Sequence, residues 1–260
     1  MVIDMHAHIF PLKLAERAAR NIGAFYDIDM THPGSVPALL GAMEKGGIDK
    51  ALVHSVAMSP AQVNVINDFI HCEVTAHADR FFGFATLHPD MENAYDEVTR
   101  ALDMGLKGVK IHSDMQKISL LDKRMDALYE ACQDRCPMLL HMGDSRYQYD
   151  NPGMIPHILR RFPRLMLICA HMGGYSEWDE ARVHLKNENV LLDCSSTSFA
   201  LGADGWRDAI RYFGAGRVLF GSDFPMWDPG EELKLLKTLG LTQSETEQIL
   251  YKNAQKYLGL

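Results

Sequence analysis

The sequence predicts an α/β protein, a single (β/α)8 TIM-type barrel over residues 1–260, and three observations predict it. Short apolar runs recur along the chain, and an amphipathic stretch follows each one. After the first interval the runs are spaced by about 24–31 residues, the length of one strand-plus-helix unit. The length itself suits one such barrel, which typically needs about 250 residues. Most runs lack polar alternation, as parallel strands buried on both faces do. The rival is a doubly wound open sheet, which would carry a phosphate-binding glycine loop after a strand. No G-x-G-x-x-G or G-x-x-x-x-G-K-[ST] follows any run here.

The first run is Val2–His8. The interval to the second exceeds one helix, and reads as a helix, an extended loop over Asn21–Pro33 and a helix over Val36–Lys45. Ala51–Val56 precedes a helix over Pro60–Ala78, with apolar residues at 63, 66, 69 or 70, and 74. Phe82–Leu87 precedes Met91–Met104, where Ala94, Val98, Ala101 and Leu102 share a face. Leu106–His112 precedes Lys123–Arg135, with Met125, Leu128 and Cys132 on one side. The runs Met138–His141, Leu165–His171, Val190–Cys194 and Val218–Gly221 lead into helices over Pro156–Phe162, Glu177–Lys186, Trp206–Phe213 and Glu231–Leu239. An extra C-terminal helix, Thr242–Leu258, opens on a capping box, with Glu245 three residues after Thr242.

Acidic residues outnumber basic ones, 34 to 26, giving a net charge of −8. That argues against nucleic acid or an anionic membrane as the main partner and leaves a small-molecule substrate. The five cysteines read as reduced core residues of a cytoplasmic protein. No apolar window is long enough for a membrane span, and the N-terminal residues do not resemble a signal peptide.

In barrel enzymes the chemistry sits where strands end, and the runs end in ionisable residues. The first ends Asp4-Met5-His6-Ala7-His8, the fourth Lys110-Ile111-His112, the fifth at His141, the sixth at His171, and the eighth Gly221-Ser222-Asp223. Residues two apart in a strand share a side, so His6 and His8 can aim into one mouth. With His141 and Asp223 they make an N/O ligand set suited to Zn²⁺, with Mn²⁺, Fe²⁺ or Co²⁺ as alternatives. His171 would stand beside the ion as base or hydrogen-bond donor. Lys110 and His112 are candidates for substrate binding; Lys110 could equally be a carboxylated bridging ligand or a solvated barrel lysine. Arg146, with Tyr147 and Tyr149, could clamp a carboxylate or aromatic ring, or belong to a solvent-facing loop. Asp193, Ser195 and Ser196 end the seventh run, lining the pocket or bonding loop backbone. His54 and His88, also near strand ends, read as core or loop residues.

These residues, together with Gly105–His112, Ala170–Gly174, Arg217–Pro225 and Ile249–Ala254, resemble the amidohydrolase superfamily, in its amidohydrolase-related branch. The branch includes aminocarboxymuconate-semialdehyde-decarboxylase-like and resorcylate-decarboxylase-like enzymes and lactonases. The resemblance implies a distorted barrel, a divalent metal on His6, His8, His141 and Asp223, and His171 orienting or deprotonating a metal-activated water. It also implies a homodimer. The expected function is metal-dependent hydrolysis of a small ester, lactone or amide, with Asp223 and His171 as catalytic residues. The alternative is non-oxidative decarboxylation of a small unsaturated or aromatic acid, and a non-catalytic ligand-binding barrel is the third reading.

Overall fold

A computed structural model describes residues 1–259. Its strands are β1 (Ile3–His8), β2 (Lys50–His54), β3 (Phe81–Gly83), β4 (Ala85–Thr86), β5 (Val109–Ile111), β6 (Met138–Leu140), β7 (Leu167–Cys169), β8 (Leu191–Asp193) and β9 (Val218–Leu219). The helices are α1 (Leu12–Tyr26), α2 (Val36–Gly46), α3 (Val63–Ala76), α4 (Ala94–Asp103), α5 (Ser113–Gln116), α6 (Arg124–Cys132), α7 (Ile155–Arg161), α8 (Trp178–Leu185), α9 (Thr197–Phe213), α10 (Pro229–Lys237), α11 (Gln243–Glu247) and α12 (Asn253–Leu258). Parallel strands alternating with helices are the (β/α)8 barrel class expected from the sequence. No helix among the described residues is long and apolar enough to cross a membrane.

The chain divides into two compact units. The first holds residues 1–55, 73–82 and 194–260. Here β1 pairs in parallel with β2, with Ile3 opposite Lys50, Asp4 opposite Ala51 and His8 opposite His54. A bulge between Asp4 and Ala7 places one extra residue on β1. The other edge of β1 bonds the segment after β9: Met5 N–H donates to Phe220 O at 2.7 Å and His8 N–H to Phe224 O at 2.7 Å, while Asp223 N–H donates to His6 O at 2.8 Å. Asp4, fully buried, accepts from His6 N–H (3.0 Å), Ser222 N–H (2.9 Å) and Ser222 O–H (2.5 Å). A buried carboxylate satisfied this way ties β1 to the Ser222-Asp223 turn.

The second unit holds residues 56–72 and 83–193. Its strands run β4-β5-β6-β7-β8, all parallel. Leu139, Leu140, Leu167 and Ile168 are at most 1% exposed, each worth about 1.5–3 kcal/mol of burial. Asn67 of α3 spans to β4: its side-chain N–H donates to Thr86 O at 3.0 Å and its carbonyl accepts Thr86 N–H at 2.7 Å.

Three boundaries differ from expectation. Residues 21–26 belong to α1 rather than to a loop, because Gly23 lets the chain fold back with Ile28 N–H on its carbonyl at 3.0 Å. A Cβ at Gly23 would lie 2.6 Å from Ile28 O. The third apolar run divides at Phe84 into β3 and β4, since Ala85 N–H turns to Gly108 O. Helix α9 begins at Thr197, nine residues before the expected Trp206, with its axis broken at Gly202 (φ 63°). The capping box is present as expected. Cys72 is exposed rather than in the core; the other four cysteines are buried.

Candidate metal centre

In the first unit, β1 and the turn after β9 bring His6, His8 and Asp223 together. His6 Nε2 lies 3.3 Å from His8 Nε2 and 3.4 Å from Asp223 Oδ1, and His8 Nε2 lies 3.7 Å from the same oxygen. Four-coordinate Zn²⁺ with bonds of 2.0–2.2 Å requires ligand-to-ligand edges of about 3.3–3.6 Å. The triangle therefore has the size of one face of such a coordination sphere, and its donor set fits a divalent cation. Asp223 adopts φ 67°, a left-handed conformation that Asp tolerates better than most residues. Its second oxygen, Oδ2, accepts the Ser196 hydroxyl at 2.6 Å, and Ser196 Oγ in turn accepts Trp227 Nε1–H at 2.9 Å. Ser195 Oγ lies 3.0 Å from His6 Nδ1.

His54 belongs to this cluster, which its sequence reading as a core or loop residue missed. Its ring lies 4.9 Å from that of His6 and 4.4 Å from that of His8, and the three histidines have ring nitrogens within 4.8 Å of one another. The signal was the strand register: a histidine ending β2 falls directly beside one ending β1.

Glu232 of α10 lies behind the same region, 7% exposed, and accepts the Ser198 hydroxyl at 2.7 and 2.8 Å. Burial pushes its carboxyl up to about 7, against the Ser198 bond and helped by the charges of Asp4 and Asp223. Folded protein thus holds a proton that unfolded chain has lost between the ordinary Glu value near 4.5 and about 7. Stability contributed by this group is present below that window and is lost as pH rises through it. In metal-free protein, Glu232→Gln is expected to remove this loss, gaining up to about 3 kcal/mol over wild type between pH 5 and pH 8 in urea unfolding. A pH-independent difference between the two proteins would refute the assignment.

In the second unit His112, Asp114, His141 and His171 are all buried. His171 Nε2 is 3.0 Å from His141 Nδ1, within hydrogen-bonding distance. His171 adopts φ 57°, and its N–H donates to Asp193 Oδ1 at 3.3 Å. His141 Nε2 lies 3.5 Å from Asp114 Oδ2. Asp114, which sequence reasoning missed although it stands two residues after His112, is 1% exposed. Burial raises the Asp114 carboxyl, and Asp144 raises it further; burial likewise raises Asp150, with Asp114 the next cause. His112, His141 and Asp114 have the spacing of a ligand group, but the His112 and His141 rings stack at 3.9 Å and 11°. Imidazole lone pairs lie in the ring plane, so two nearly parallel rings cannot both point at one ion.

Lys110 on β5 is fully buried, which removes the solvated reading. Arg146 forks onto Asp144, through Nε at 3.0 Å and Nη2 at 2.6 Å. Its charge is thus met within its own loop.

A profile of the Amidohydrolase family matches residues 3–260. Among solved structures, an uncharacterized TIM-barrel protein from Bordetella bronchiseptica is similar over 99% of this chain and 98% of its own, with TM-score 0.81 and 20% identity. A 5-carboxyvanillate decarboxylase from Sphingomonas paucimobilis is similar over 100% of this chain and 99% of its own, with TM-score 0.77 and 16% identity. The 5-carboxyvanillate decarboxylase of Novosphingobium aromaticivorans, solved with manganese and 4-hydroxy-3-methoxy-5-nitrobenzoic acid, is similar over 100% of this chain and 96% of its own, with TM-score 0.76 and 17% identity. No curated protein matches the chain.

Proposed function

The chain belongs to the amidohydrolase family, and from that premise we propose that it is a divalent-metal-dependent carboxy-lyase acting on a small aromatic or unsaturated carboxylic acid. The observation that carries this reading is the bond from Ser196 to Asp223 Oδ2 at 2.6 Å. Hydrolysis needs a base for water, and Asp223 is the residue expected to share that work. With Oδ1 turned to His6 and His8 and Oδ2 accepting the Ser196 hydroxyl, Asp223 has both oxygens engaged, as a positioned metal ligand would. Decarboxylation needs no such base. It breaks the bond from carbon to carboxylate, releases CO₂, and delivers one proton to the carbon left behind. The likeness to two solved decarboxylases supports the same reading.

In this reading His6, His8 and Asp223 hold the cation. Bound there, a divalent cation supplies Lewis-acid polarisation of a substrate oxygen. His171 is the proton donor to the reacting carbon. Lys110 and His112 serve substrate binding. The ligand edges favour four-coordinate Zn²⁺, and a neighbour's manganese makes Mn²⁺ the ion to compare.

The test is a screen of protein stripped of metal and reloaded with Zn²⁺ or Mn²⁺. Hydroxybenzoates and unsaturated acids are followed for CO₂, and lactones, esters and amides for hydrolysis. CO₂ release that a chelator abolishes is the expected result. Hydrolysis of an acyl bond without CO₂ would overturn the lyase reading in favour of a metal-dependent hydrolase.

A further inference from the structure

His6 and Asp223 each direct one atom at the cation face and one atom away from it, and both outward atoms meet the same turn. His6 Nδ1 meets Ser195 Oγ at 3.0 Å, and Asp223 Oδ2 meets Ser196 Oγ at 2.6 Å. Resting on the metal-centre reading above, we infer that the Ser195-Ser196 turn is the positioning device of that centre, with Trp227 fixing the direction of its second hydroxyl.

The chemistry is one of counting protons. A neutral imidazole presents a lone pair at Nε2 only when Nδ1 carries the hydrogen, and that hydrogen needs an acceptor. Ser195 Oγ is the acceptor. A serine hydroxyl has one hydrogen to give. Trp227 Nε1–H points into Ser196 Oγ at 2.9 Å, so the Ser196 hydrogen is left to Asp223. That bond holds Oδ2 toward the turn while Oδ1 faces His6 and His8. Without the indole N–H, the hydroxyl could rotate toward Met226 Sδ, 3.8 Å away.

The turn is itself held in place. Ser196 adopts φ 56°, a left-handed conformation that costs a non-glycine residue energy and recurs at functional sites. Thr197 Oγ1 donates to Ser195 O at 3.3 Å, and two residues on Ser198 is anchored on the buried Glu232. Two ligands separated widely in sequence are therefore oriented by two adjacent residues.

The test titrates metal-stripped full-length protein with Zn²⁺ and with Mn²⁺ against a competing chelator, alongside the thermal midpoint of the metal-free form. Ser195→Ala and Ser196→Ala are each expected to weaken binding by about 10–100-fold, the usual effect of removing a partner of a metal ligand. Their metal-free midpoints should stay within ~3 °C of wild type. Trp227→Phe keeps the ring and loses only the N–H; it should weaken binding in the same direction by a smaller factor, and it carries the test should Ser196→Ala fail to fold. Wild type that binds while all folded variants bind equally well overturns the inference and leaves the metal centre standing. Affinity lost only in proportion to metal-free stability overturns it as well. Wild type that binds neither ion overturns both the inference and the reading it rests on.

Discussion

Replacing His6 and His8 together by Ala leaves the purified protein without stoichiometric metal and lowers turnover by at least ~10³-fold. The two Nε2 atoms stand 3.3 Å apart, and each lies within 3.7 Å of Asp223 Oδ1. Removing both leaves Asp223 as the sole ligand from this unit's triangle, and a single carboxylate does not retain a catalytic Zn²⁺ or Mn²⁺ at micromolar levels. Lewis-acid stabilisation of developing charge is worth several kcal/mol, and each 1.36 kcal/mol is a factor of ten in rate. Metal content by elemental analysis and turnover on the best substrate measure the two effects. His6 is 1% exposed, so folding is followed by circular dichroism in parallel. Unchanged metal content in a folded double variant would move the centre elsewhere.

The second large effect is expected at Gly143→Ala. His141-Met142-Gly143 and His171-Met172-Gly173-Gly174 are two strand-end loops laid against each other in the second unit. Tyr175 N–H donates to Met142 O at 2.7 Å and Ser176 N–H to Gly143 O at 2.8 Å. Gly143 has φ +73°, and a Cβ there would lie 2.5 Å from Gly174 Cα. Both atoms of that clash are close to backbone, so no side chain can swing aside. Left-handed strain of about 1–2 kcal/mol adds to overpacking of about 1–3 kcal/mol. A loss of about 2–5 kcal/mol in denaturant unfolding is expected. The His141–His171 contact, 3.0 Å across the same two loops, opens with it, so activity falls even where the protein stays folded. Gly240→Ala is the control: φ is +66° but nothing lies within 4 Å of the added methyl, and only the strain of about 1 kcal/mol remains. Equal losses at the two positions would show that the loop contact is unimportant.

Much of this was legible in the sequence, and the reason is periodicity. Buried parallel strands must be apolar throughout, so β1, β2 and β5 to β9 were visible as runs and their ends gave His6, His8, His141, His171 and Asp223. What stayed hidden depended on partners rather than on pattern. His54 looks like any strand-end histidine until β2 is laid against β1 in register. Asp114 becomes notable only when folding buries it beside Asp150 and His141. Asn21 and Gly23 have the composition of a loop, yet Gly23 is there because Ile28 O passes too close for a side chain. Gly202 hides the first turn of α9 by breaking its helical phase. Ser195 and Ser196 were noted as lining or loop-bonding residues; which atoms they hold is information that no spacing contains.

The seam between β1 and the Ser222-Asp223 turn has a consequence for the protein as it is being made. Asp4 and Ser222 are 218 residues apart, and β1 bonds to residues 220–224 along one whole edge. A ribosome adding about 5–20 residues per second needs roughly 10–45 s to deliver that edge's partner. For that interval the apolar segment Val2, Ile3, Met5, Ala7 and Ile9 has one ladder unfilled, and such an open edge can be paired by another nascent chain. The tie between β1 and the Ser222-Asp223 turn thus forms only after every residue of the second unit has been synthesised.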